Sequence, residues 1–159
     1  METDKSISYF FRFEDLRIYN KALDYVSWVY SNSELFPDSE KHGLTAKFIG
    51  AAQSIALNIA EGSGRNRTQF IYYLKMAKSS IRECLVLTTI CHRLSFIDES
   101  SVEESRTFLI EMTKMLGALI VSIQKVERPN ERMEDDEDEL HPHPHHNFNQ
   151  TDNFNNSSI

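Results

Sequence analysis

Glycine, proline and cysteine are scarce in this chain of 159 residues, at five, four and two, and each scarcity excludes something. So few glycines and prolines leave little punctuation for the many turns of an all-β domain, and long uninterrupted helices are expected instead. Pro142 and Pro144 fall in one histidine-rich run near the C-terminus, so the first three quarters of the chain are interrupted even less. Cys84 and Cys91 stand seven positions apart on one expected helix, about 10 Å along its axis, too far to bridge. They read as small buried apolar groups in a reducing compartment. Residues 1–8 have neither a basic start nor an apolar run, and no hydrophobic stretch approaches a membrane span, so a cytoplasmic protein without membrane contact is expected.

Catalytic signatures are missing too. There is no Gly-x-Ser-x-Gly elbow and no phosphate-cradling glycine loop. His92 follows Cys91 directly, so on a helix the two point about 100° apart and form no catalytic pair. Neither enzyme activity nor a cofactor is expected. A net positive charge is also absent: the total is -7, but the deficit is local. Acidic and basic side chains balance up to Arg128, and the whole excess lies in residues 129–159, where Arg132 stands alone against Glu131, Glu134, Asp135, Asp136, Glu137, Asp138, Glu139 and Asp152. A neutral globular part neither argues for a nucleic-acid surface nor excludes a local basic stripe.

What the chain has is helical periodicity. Phe13-Glu14-Asp15-Leu16 opens a first helix with acid in its first turn, favourable to the helix dipole, and Leu16, Tyr19, Leu23, Val26 and Tyr30 mark its inward face. Ile18, Tyr25, Trp28 and Val29 fall on other faces, an apolar excess that points to burial against a partner chain. Phe36-Pro37-Asp38 breaks this helix, and Asp38 or Ser39 is expected to cap a second one from about Ser39 to Glu61. Its inward face is Leu44, Phe48, Ala51, Ile55 and Ile59, and its mid-helix Gly50 implies a packing requirement. Gly62 and Gly64 are expected to stop it through positive φ. Thr68 is expected to cap a third helix with Phe70, Leu74, Ala77, Ile81, Leu85 and Thr88 inward, ending near Leu94 or Ser95. Asp98 caps a fourth, where Val102, Ser105, Leu109, Met112, Leu116, Leu119, Ile123 and Val126 keep a three-four spacing. The expected fold is all-α: an antiparallel up-down four-helix bundle over residues 13–128, after a lead-in of residues 1–12. Residues 129–159 combine an acid block, a histidine-proline run and an Asn-rich end, and are expected to be a disordered tail.

In order along the chain stand Phe13-Glu14-Asp15-Leu16, Gly43-Leu44-Thr45, and Ala51-Ala52-Gln53-Ser54-Ile55 leading into Asn58-Ile59-Ala60-Glu61-Gly62, then Gly64-Arg65. With Ala77-Lys78-Ser79-Ser80-Ile81-Arg82-Glu83 downstream, the chain resembles the 23S rRNA intervening-sequence proteins over roughly residues 13–125. The resemblance implies an up-down four-helix bundle that assembles as a homo-oligomeric ring, typically a pentamer, with no catalytic residues. It also implies a link to nucleic acid, since some members are encoded within ribosomal RNA gene inserts and a distant relative is a nucleic-acid-binding accessory protein of a reverse transcriptase. The chain departs from the family pattern where two arginines usually precede the paired alanines; Ile49 and Gly50 stand there instead, and Ala56 replaces a common proline.

Several constellations carry chemistry. Lys75, Lys78 and Arg82 at i, i+3 and i+7, with Arg65 and Arg67 just before them, form a stripe able to track RNA or DNA phosphates, although an ordinary solvated face also accounts for them. Tyr72 and Tyr73 nearby read as packing groups in preference to base-stacking ones. Asn58 and Glu61 share a face at a helix end and read as a structural network, with Asn58 satisfying backbone groups at the turn and Glu61 pairing with Arg65, Arg67 or a neighbouring helix. Glu83 reads as a partner for a basic residue on another helix. His141, His143, His145 and His146 could chelate zinc, nickel or copper weakly from the tail. The expected function is a non-enzymatic oligomeric scaffold or accessory protein that binds nucleic acid through the third helix; the alternative is a protein-interaction or weak metal-binding module without nucleic-acid activity.

Overall fold

A computed structural model of the protein describes residues 11–126. A short 3-10 turn, Arg12–Asp15, leads into four helices: α1 Arg17–Ser33, α2 Leu44–Ser63, α3 Arg67–Arg93 and α4 Glu99–Lys125. Each packs on its neighbours in chain order, and α1 closes the set against α4. The cross-links show the directions. Along α1, Lys21, Tyr25 and Trp28 meet Glu111, Ser105 and Glu104 of α4 in descending order. Ser54 and Gly62 of α2 face Ser80 and the Phe70–Tyr73 turn of α3, and Thr88 and His92 of α3 face Ser105 and Glu99 of α4. Every adjacent pair is antiparallel, which is the expected up-down bundle.

The core confirms the stripes of α2 and α3, confirms that of α4 except at its end, where Val126 is exposed after the last turn, and corrects the first. Phe48, Ala51, Ile55 and Ile59 of α2, Leu74, Ala77, Ile81 and Thr88 of α3, and Ser105, Leu109, Met112 and Leu116 of α4 are buried. In α1 the buried residues are Ile18, Ala22, Tyr25, Val29 and Ser33, whereas Leu23 and Tyr30, placed inward by spacing, are 40% and 47% exposed. Tyr25 and Val29 therefore need no partner chain to cover them. Trp28, half-buried, stacks on Tyr25 with centroids 5.6 Å apart and donates from Nε1 to Glu104 Oε2 at 2.8 Å.

Helix boundaries differ where turn chemistry intervenes. The segment after Pro37 forms a 3-10 turn, Asp38–Glu40, so α2 begins at Leu44, and the Leu44 N–H donates to Glu40 Oε2 at 3.2 Å. Asn66, not Thr68, caps α3, accepting from Gln69 N–H at 3.0 Å, which places Arg67 inside the helix. Asp98 caps α4 as expected, accepting from Ser101 N–H at 2.8 Å; that bond is stronger to the carboxylate than to the acid and lowers the Asp98 pKa. At the end where the α1–α2 and α3–α4 links meet, Phe36 packs on Phe96 at 5.4 Å.

The glycine expectations change most. No glycine among the described residues has positive φ; Ser95, φ 59°, adopts it just after α3. Gly62 lies within α2, where a Cβ would stand 2.6 Å from Tyr73 Cβ and 2.9 Å from Phe70 Cδ2. Its role is close approach of α2 to α3, not a turn. Gly50, by contrast, has nothing within 4 Å of a built Cβ among the described residues, so no packing among them requires it.

Two polar links join helices, one buried in the core and one half-buried at the α2–α3 seam. Thr88 donates to the Cys84 carbonyl at 2.8 Å, so Ser105 must donate to Thr88 at 2.7 Å and accept from the Tyr25 hydroxyl at 2.9 Å. The second runs from Asn58, which donates to the Ser54 carbonyl at 2.8 Å and to its hydroxyl at 3.1 Å, to Ser80, 2.9 Å beyond Ser54 Oγ. The tight α2–α3 seam makes a direct prediction. Gly62→Ala should lower the urea unfolding midpoint by an amount worth about 1–3 kcal/mol, whereas Gly50→Ala, in open space, should leave it unchanged or raise it by up to about 1 kcal/mol; equal effects would contradict the seam.

Candidate nucleic-acid interface

Helix α3 carries the basic residues and almost no acid. Between Arg67 and Arg93 its charged residues are Arg67, Lys75, Lys78, Arg82 and Arg93 against Glu83 alone, apart from His92. At about 100° per residue, Arg67, Lys75, Lys78 and Arg82 fall in one sector about 80° wide, and Glu83 lies outside it. None of these four cations makes an ion pair among the described residues. From Arg67 to Arg82 the sector runs about 22 Å, the length of several phosphates along a strand. Arg67 also sits at the positive end of the α3 dipole with no acid in the first turn, an arrangement unfavourable to the helix and favourable to an anion.

Arg65 stands apart from this set. Its guanidinium is held by Glu61, with Nε donating to Oε1 at 3.1 Å and Nη2 to the same oxygen, and this partner raises the pKa of Arg65. The expected Glu61–Arg65 pair is therefore present, and the charge of Arg65 is already offset by a carboxylate. Asn58 makes its bonds to Ser54 one turn back in α2 and not at the turn itself. Glu83 is exposed and makes no ion pair among the described residues, so the expected pairing to another helix is not formed. Tyr72 and Tyr73 pack edge-on at 5.5 Å, with Tyr73 against Gly62 and Tyr72 exposed beyond the cationic sector.

Sequence reasoning missed two residues. The cationic sector borders α4, and there an open groove of about 280 Å³ has Ile81 and Leu85 of α3 and Leu109 and Ile110 of α4 as its floor. Arg82 stands on one rim, and Arg106 and Lys114 on the other with Thr113. Arg106 and Lys114 are likewise without an ion pair among the described residues, and of the α4 acids Glu104 and Glu111 face α1 and Glu99 pairs with His92. The signal was legible as two cations eight positions apart with an apolar Ile110 between them; only the packing of α3 on α4 joins them to Arg82.

Other candidate chemistries fare as follows. Among the described residues no group of three or more His, Cys, Asp or Glu side chains converges as a metal site; His141, His143, His145 and His146 lie outside the described residues. His92 Nε2 pairs with Glu99 at 3.1 Å. Helix α4, contrary to expectation, is long and apolar enough to cross a membrane by length and composition; 22% of its most apolar stretch is buried, and Leu109, Met112 and Leu116 supply its apolar share of the bundle core. Burial pushes the Cys84 thiol up to about 12, helped by the Glu83 charge, and burial pushes Cys91 up to about 11. Neither is a ready nucleophile.

Fold and surface define an all-α four-helix bundle with one cationic face. The chain belongs to the 23S rRNA-intervening sequence protein family, whose model matches residues 14–118. Among solved structures it is similar to a protein of unknown function from the S23 ribosomal protein family of Bacteroides thetaiotaomicron VPI-5482, at 20% identity and TM-score 0.59, covering 65% of this chain and 97% of that one. This likeness concerns the fold alone. No curated protein matches the chain, and neither the family nor the structural relative is described with a catalytic activity.

The raised thiol pKa values set an alkaline dependence. In the unfolded chain the thiols ionise near 9.0, whereas the folded protein holds both protons until about 11 to 12. The folded state thus binds more protons in that window, so the stabilisation is complete below pH 9 and declines as pH rises. The urea midpoint should fall between about pH 8 and pH 10.5, more shallowly in Cys84→Ala/Cys91→Ala; parallel profiles would refute the thiol contribution.

Proposed function

We propose that this protein is a non-enzymatic, oligomeric, cytoplasmic scaffold or accessory protein that binds RNA or DNA through the exposed face of α3. The observation that carries this is the set Arg67, Lys75, Lys78 and Arg82, unpaired among the described residues and in one sector of α3 free of carboxylates, continued by Arg106 and Lys114 on α4. Arg65, tied to Glu61, is a secondary contributor. Recognition by such a face is electrostatic and tolerant of sequence, since its cations meet phosphates and no exposed aromatic side chain lies within the sector to read bases. The family resemblance to proteins encoded in ribosomal RNA inserts supports the same class of ligand.

Oligomerisation rests on a different surface from the one expected. Tyr25 and Val29 are consumed by the core, but the outer side of α1 and α2 exposes Leu23, Tyr30 and Leu57, the last at 66%. Tyr19, Leu23, Val26, Ala56 and Leu57 line an open apolar hollow there. A copy docked on this side leaves the α3–α4 side free, and a pentameric ring, as the family resemblance implies, repeats the cationic face around it so that modest sites add up.

Binding to a fluorescent duplex RNA should weaken steeply with salt, and Lys75→Gln/Lys78→Gln/Arg82→Gln should reduce the slope of log K against log salt by about three. The measurement is run with and without residues 129–159, whose surplus of carboxylates competes for cations. Undetectable binding at low salt in both forms would refute nucleic-acid binding and leave the protein-interaction or metal-binding alternative. For assembly, sedimentation equilibrium should give an oligomeric mass that Leu23→Glu/Leu57→Glu shifts to the monomer; a wild-type monomer at micromolar concentration removes the ring.

A further inference from the structure

The groove between α3 and α4 holds more than a phosphate track requires. A phosphate backbone asks for cations and polar donors, yet the floor here is four aliphatic side chains, of which Ile110 is 51% exposed. Without an aromatic ring the floor offers no platform for a base. Three like charges, Arg82, Arg106 and Lys114, ring that floor, and none is neutralised within the described chain. The complement of an apolar floor with a cationic rim is an apolar ridge flanked by carboxylates. The groove is open along its length, which leaves a small amphiphile exposed but accommodates one side of a rod.

We propose that the α3–α4 groove is the docking site for an acidic amphipathic helix of a partner protein. The helix lays aliphatic side chains, spaced at i, i+3 or i+4 and i+7, onto Ile81, Leu85, Leu109 and Ile110. Its flanking Glu or Asp side chains meet Arg82 on one side and Arg106 and Lys114 on the other. Arg106 and Lys114 are eight residues apart on one helix, about 12 Å, which is the separation of carboxylates two turns apart on the incoming helix. Docking relieves the mutual repulsion of the three cations and covers Ile110, so both features of the free protein are accounted for by one occupant. Arg82 belongs also to the proposed nucleic-acid face, which makes the helix and nucleic acid competitors there, but the apolar floor belongs to the helix alone.

The test uses the full chain and a designed fluorescent peptide of about four to five helical turns with Leu on one face and Glu along both flanks, beside a counterpart with Lys in place of Glu. The Glu-flanked peptide should bind at least about tenfold more tightly than the Lys-flanked one by fluorescence anisotropy. Arg106→Gln/Lys114→Gln and, separately, Ile110→Asp should each weaken it by about tenfold or more, with helical circular dichroism unchanged because all three side chains are exposed. Equal binding of the two peptides, or binding that survives Ile110→Asp, overturns the proposal. Duplex RNA binding that falls in Arg106→Gln/Lys114→Gln but not in Ile110→Asp, with no peptide bound, also overturns it and assigns these cations to phosphates. Lys75→Gln/Lys78→Gln, outside the groove, separates the two ideas: it should lower RNA binding and leave peptide binding intact.

Discussion

Three helices meet at a chain of buried hydroxyls, in which Tyr25 of α1 donates to Ser105 of α4, Ser105 to Thr88 of α3, and Thr88 to the Cys84 carbonyl. Aliphatic stripes discriminate weakly between registers, because hydrophobic packing is non-directional and volume-tolerant. A slip of one turn would strand the Tyr25 hydroxyl in the core, and a buried polar group without a partner costs about 1–3 kcal/mol. The same burial raises the Tyr25 pKa, so the phenol stays a neutral donor. Together with the Ser54–Ser80 link between α2 and α3, this chain sets how far each helix has slid along its neighbours.

Everything on the surface follows from that register. It places Arg82 across the groove from Arg106 and Lys114 and turns Glu104 and Glu111 toward Trp28 and Lys21 of α1, so no carboxylate lines that groove among the described residues. It also leaves Leu23, Tyr30 and Leu57 on the α1–α2 side. Exposed apolar side chains are therefore found on both helix pairs, Leu23, Tyr30 and Leu57 on α1 and α2 and Val86, Ile110 and Val121 among those on α3 and α4, while the cations Lys75, Lys78, Arg82, Arg106 and Lys114 belong to α3 and α4. The seam at Gly62, where α2 and α3 approach without room for a methyl group, holds the two helix pairs together at the tight-turn end.

The legible parts were those governed by local chemistry. Asp98 capped α4 where an Asp before a helical pattern should, and the stripes of α2, α3 and α4 faced inward as their spacing required, short of Val126 at the end of α4. The first helix was misjudged because its apolar arc is wide enough to hold two stripes about 90° apart; the one that won contains the small residues Ala22 and Ser33, which spacing by large side chains overlooks. Gly62 was read as a turn residue because glycine near a helix end usually supplies positive φ. Its real constraint, Tyr73 and Phe70 across the seam, lies in another helix and left no local trace. Arg106 and Lys114 escaped for the same reason: on α4 alone they are two ordinary surface cations.

The sequence by itself determined four helices, their order, most of their inward faces, the family, and a third helix nearly free of acid, because each depends on residues a few positions apart along one element. Only the tertiary structure decided which side of α1 is core, that Tyr25 and Val29 are spent internally, that Arg65 is tied to Glu61, and that cations from two helices ring one apolar groove. Those outcomes depend on axial register and rotation between helices, and these are set by contacts between residues as distant as Tyr25 and Ser105.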